Sequence, residues 1–103
     1  MAKGYWIANV DVRDADGYKG YVGMLPDIFR KYGGKYTTRG GKMEVVEGKS
    51  RPRVVIIEFP SFEAAMTCYR SPEYAKAIAK RRAAADADLI VIEGYDGPQP
   101  SDG

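Results

Sequence analysis

The stretch from Pro52 to Tyr74, PRVVIIEFPSFEAAMTCYRSPEY, constrains what this chain can fold into more than any other. Val54 to Phe59 is a β-branched, almost wholly apolar run broken only by Glu58, which predicts a central strand covered on both faces. At Pro60 the strand has to stop, because proline cannot donate to a ladder, and Ser61 can then accept from the free N–H groups of a helix that follows. Ser71, Pro72 and Glu73 repeat the arrangement, with an N-cap, a proline at the first helical position and an acid near the positive end of the helix dipole. A strand, a capped helix and a second capped helix start are thus written in direct succession.

The flanking segments complete the pattern. Tyr5 to Val12 predicts a first strand, with Trp6, Ala8, Val10 and Val12 on one face and Tyr5, Ile7, Asn9 and Asp11 on the other. Asp14 is the expected N-cap of a helix whose apolar stripe runs Tyr18, Tyr21, Val22, Leu25, Ile28, Phe29 and Tyr32. Gly17, Gly20 and Gly23 each cost roughly 1 kcal/mol there relative to alanine, and Pro26 is expected to kink or restart the helix near Gly23. Gly33-Gly34 should end it. Lys35 to Arg39 is a short strand, and Gly40-Gly41 a turn or bulge leading into Met43 to Glu47. Phe62, Ala65, Met66 and Tyr69 form the apolar side of the helix that begins at Ser61. Tyr74, Ala77, Ile78, Arg81 and Ala85 recur at helical spacing after Pro72, and Asp88 to Glu93 is the last strand. One domain over residues 1–96 is expected, followed by a flexible tail over 97–103.

This order is the α+β, ferredoxin-like βαββαβ pattern, with helices on one face of a four-stranded antiparallel sheet. The helix-facing side should carry Trp6, Ala8, Val10, Val12, Val55, Ile57 and Phe59. Ile7, Val54 and Ile56 are left on the opposite side beside Asn9, Asp11 and Glu58, a face too apolar for water. A homodimer with sheets packed face to face is the economical cover.

Composition narrows the chemistry. Sixteen basic against fourteen acidic residues leave a net charge of only +2, too small a surplus to imply a nucleic-acid or membrane partner. No apolar run approaches a transmembrane span, and no secretory signal is recognisable behind Met1, so the cytoplasm is the expected location. Cys68 is the single cysteine and histidine is absent, which removes disulfides, cysteine-cluster metal sites and the commonest general base. No metal or cofactor is expected. The Gly-rich GGKYTTRGGK lacks the phosphate-loop spacing, and the central strand lacks the aromatics with which an RNA-recognition sheet stacks bases.

Several of these motifs together resemble one family. KGYWIANVDV at the start, Arg39 to Gly41, the VVIIEFPSFEAAMTCYRSPEY run, Arg81 and the closing ADLIVIEG are similar, in order and spacing, to DUF1330, small bacterial proteins of unknown function. The resemblance spans the chain to about Gly94. It implies the dimeric α/β-barrel superfamily, in which two ferredoxin-like protomers pack their sheets around a cavity, and it implies no particular reaction.

Glu58 is the sharpest candidate for chemistry, since a carboxylate inside an apolar strand would be tuned for acid/base work by burial. Arg39 is its expected partner, next to glycines that allow close approach; the alternative is a structural ion pair inside the dimer. Asn9 would extend that polar cluster. Tyr18, Tyr69 and Tyr74 can each place a ring in a wall and a hydroxyl in a cavity, or be plain core. Arg81 stands where an apolar residue is expected; it either snorkels or meets a carboxylate such as Glu58 or Glu93, or a ligand anion. Cys68 reads as a packing residue, and Ser61 and Ser71 as caps. Two functions follow: a homodimer binding or transforming a small anionic or carbonyl-containing molecule in a sheet-face cavity, or a non-catalytic interaction dimer.

Overall fold

The computed structural model describes residues 2–102. Its elements run β1 (Gly4–Val12), α1 (Ala15–Tyr32), β2 (Lys35–Arg39), β3 (Arg53–Phe59), α2 (Phe62–Tyr69), α3 (Pro72–Ala84), β4 (Ala85–Glu93) and a 3-10 turn at Pro100–Asp102. The four strands lie in the order β2-β3-β1-β4, each antiparallel to its neighbours. This is the ferredoxin-like arrangement, with the second helical position divided between α2 and α3. No helix of the described residues is long and apolar enough to cross a membrane.

Alternation along the two central strands determines where the core sits. Trp6, Ala8 and Val10 of β1 and Val55, Ile57 and Phe59 of β3 are buried beneath the helices, together with Leu25, Ile28 and Phe29 of α1, Ala65 and Cys68 of α2, and Ala77 of α3. Trp6 is the hub. Its indole N–H donates to the Ala65 carbonyl at 2.9 Å, and its ring meets those of Phe29, Phe59, Tyr69 and Tyr74. Val12, expected in the same layer, reaches solvent at the strand end. Ile7, Asn9, Val54, Ile56 and Glu58 are half-buried on the other face, where Ile90 and Ile92 of β4 are exposed.

Both caps of the central stretch form as its composition dictates: Ser61 Oγ accepts from the Ala64 N–H and Ser71 Oγ from the Tyr74 N–H. Two local expectations are corrected. Helix α1 runs through Pro26 without restarting, because its buried stripe holds it to the sheet on both sides of the proline. Strand β4 begins at Ala85, not Asp88, directly after α3: Ala85 and Ala87 pair with Val12 and Val10, and the ladder overrides alanine's helical preference. The chain turns at Gly40 (φ +63°), as expected of Gly40-Gly41, and a separate bulge falls at Thr37, between Tyr36 and Thr38. Met43 to Glu47 forms no strand and is exposed throughout. Beyond β4, the segment read as largely unstructured carries the short 3-10 turn, with Tyr95 Oη donating to the Pro98 carbonyl at 2.6 Å.

Candidate functional site

The seven candidate residues divide between the two sides of the sheet. Glu58 and Asn9 lie on the open face. Glu58 is part-exposed and accepts from Lys3 Nζ at 3.2 Å. Arg39 is not its partner. The bulge at Thr37 turns Arg39 to the helix side, paired in register with Val55, while Glu58 is opposite Lys35. Asn9 is fully employed by the chain itself: its side-chain amide donates to Ser50 Oγ (3.0 Å) and the Arg51 carbonyl (3.2 Å), and its oxygen accepts from the Arg51 N–H (2.9 Å). Arg51, held there, pairs with Asp88 at 3.1 Å and Asp11 at 3.5 Å.

Tyr18, Tyr69, Tyr74 and Arg81 gather instead between the helices and the sheet. Arg81, on the last turns of α3, is 8% exposed. It neither snorkels to solvent nor meets Glu58 or Glu93, and none of the ion pairs among the described residues includes it. Its Nη1 makes one long bond of 3.4 Å to Tyr74 Oη, and its buried Nε has no partner. A guanidinium keeps its charge in proteins, so this is a buried cation without a protein anion.

Arg81 stands between two spaces. On one side is an internal cavity of about 20 Å³ bounded by Trp6, Tyr18, Tyr21, Leu25 and Leu89. On the other is a cleft of about 650 Å³ along β4, lined by Tyr69, Arg82, Asp86, Asp88 and Arg51. The acids of the cleft are already neutralised, Asp86 by Arg13 at 3.3 Å and Asp88 by Arg51. Tyr21, which the helical stripe contained but did not distinguish from core, joins the site by sharing a 2.8 Å hydrogen bond with Tyr74. Burial is the main cause that raises both phenols above the ordinary tyrosine range, so they serve at neutral pH as donors and not as phenolates. Arg81, Tyr74 and Tyr21 thus form one hydrogen-bonded chain beside the inner cavity, a space no larger than about one water.

Cys68 adds nothing to this chemistry. It is fully buried, and burial pushes its thiol up to about 12, away from a reactive thiolate.

Known structures share the fold. A protein of unknown function from Rhodopseudomonas palustris superposes with a TM-score of 0.74 at 24% identity, over 93% of this chain and 85% of that one. SnoaB, a cofactor-independent oxygenase from Streptomyces nogalater, gives 0.67 at 13% identity, over 97% and 99%. A dimeric ferredoxin-like protein of unknown function from Thermobifida fusca gives 0.58 at 10% identity, over 89% and 91%. These likenesses concern the fold alone. No curated protein matches this chain. The DUF1330 family model covers residues 3–95, nearly the whole sequence, and the chain therefore belongs to this family of domains of unknown function.

Proposed function

We propose that the protein is a homodimer that binds a small organic anion or carbonyl compound in the cleft along β4, with the ligand's oxygen on Arg81 and its body against Tyr69. One observation carries this reading: Arg81 is a buried cation with no carboxylate partner. A free chain has little reason to desolvate an unpaired charge unless an anion offsets the cost on binding. The cleft's volume lies within the range of small-molecule sites. Any turnover would rest on the Arg81 guanidinium stabilising developing negative charge, a chemistry that requires no histidine.

Trp6, the single tryptophan, lines the inner cavity and packs 4.8 Å from the Tyr74 ring, so its fluorescence reports on the site. Titration with benzoate, salicylate and acetoacetate should give a saturable change with at least one of them. Arg81→Met should weaken that binding about tenfold or more, the loss of a charge-assisted hydrogen bond, while leaving the ligand-free fold as stable or more so. Equal affinity in Arg81→Met, or a large loss of stability without ligand, would assign Arg81 to structure alone.

A further inference from the structure

Besides Arg81, a pair of arginines on the helix side of the sheet is left without carboxylates. Arg39 ends β2 opposite Val55, and Arg53 begins β3 two residues before Val55, so the two are diagonal neighbours on one face. Like charges so placed repel unless an anion lies between them. Neither takes part in an ion pair among the described residues.

Their orientation is prepared. The Arg39 guanidinium stacks 4.7 Å above the Tyr36 ring, and that of Arg53 lies 5.6 Å from the centre of the Tyr18 ring. A cation held over a ring face keeps N–H groups that can donate, and arginine's fork suits an oxyanion. Arg53 is also seated against the backbone. Gly40 has φ +63°, and a Cβ there would come within 2.2 Å of Arg53 Nη1, so only glycine leaves the guanidinium where it is. Two buried polar atoms border the same corner without partners, Arg53 Nε and Tyr36 Oη. Tyr36, paired with Ile57, precedes Arg39 on the same face of β2.

We propose that Arg39, Arg53 and the Tyr36 hydroxyl form an oxyanion site at the β2/β3 end of the helix-facing side, taking the carboxylate or phosphate group of a small molecule. The site is separate from Arg81, with Tyr18 between them: one side of its ring carries Arg53, and the residue also bounds the inner cavity.

Arginine side-chain NMR tests this directly, by following the Nε–Hε resonances of Arg39, Arg53 and Arg81 while inorganic phosphate, and separately acetate, is added at constant ionic strength. A saturable movement of Arg39 and Arg53 is expected with at least one of the two anions, and whichever anion saturates assigns the ligand group. Arg53→Gln should remove the response at Arg39, and Gly40→Ala should weaken it about tenfold by displacing Arg53. Unchanged dispersion of the amide spectrum establishes that each variant is folded, and Arg53→Lys, which keeps charge without the fork, should bind between wild type and Arg53→Gln. Arg81→Met should leave the response intact, which separates this site from the cleft. Movements linear in both anions indicate an adventitious ion only and overturn the proposal, as does saturation at Arg39 that survives in Arg53→Gln.

Discussion

Two half-hidden polar side chains show how differently the chain uses such groups. Asn9 spends its amide on the Ser50 to Arg53 segment, where it substitutes for ladder bonds the loop cannot make. Arg81 makes one long contact to a phenol, and its buried Nε has no partner. The first pattern belongs to a structural clasp and the second to a group awaiting a partner. Asn9→Ala should therefore destabilise the protein by about 1–3 kcal/mol in urea unfolding, since it strands the Arg51 N–H, and should speed amide exchange at Arg51. An unchanged unfolding midpoint would mean that water replaces the clasp at no cost.

At the scale of elements, the helices are joined by their ends. Ser71 Oγ donates to the Cys68 carbonyl at 2.7 Å while capping α3, so one hydroxyl closes α2 and opens the next helix. Glu73, in the first turn of α3, accepts from Lys31 and from Tyr32 Oη at 2.8 Å, tying α3 to the last turn of α1. Chiefly through the Lys31 bond, then the backbone N–H and Tyr32, its carboxyl falls from an ordinary 4.5 to about 2. A carboxyl depressed in the folded state contributes stability that is fully present above its unfolded pKa and is lost as pH falls through the folded one. Stability should thus decline between about pH 4.5 and pH 2 partly through this group. Glu73→Gln should flatten that part of the profile measured by thermal unfolding at a series of pH values. The exposure of the pair keeps the effect small and sensitive to salt. The same ties explain how α1 survives three glycines and Pro26, since both its ends and its buried stripe are held by tertiary contacts.

For the whole molecule, the decisive feature is a sheet covered on one side. Ile7, Val54 and Ile56, with Ile90 and Ile92 at 54% and 47% exposed, make an apolar face crossed by the Arg51 ion pairs. A second copy is the proposed cover. Ile56→Asp should shift native mass spectra towards monomer and lower stability by about 1–3 kcal/mol; a variant that stayed dimeric and equally stable would place the interface elsewhere. How the layers are composed was legible in the sequence, because strand alternation and helical periodicity are local: Trp6/Ala8/Val10 and Val55/Ile57/Phe59 could be assigned to the core from spacing alone. Ser61 and Ser71 were likewise readable as caps, since a cap bonds only to its own first turn. Tertiary structure decided what depends on register and distance. A single bulged residue, Thr37, put Arg39 and Glu58 on opposite faces, and no periodicity announces a bulge. Pairing with β1 made a strand of Ala85 to Ala87, and packing across three elements brought Tyr21 to Tyr74 and left Arg81 without an anion. Local pattern, read from neighbours along the chain, was thus enough to determine which side chains are inside; which of them meet was a matter of long-range register, and the candidate chemistry lies there.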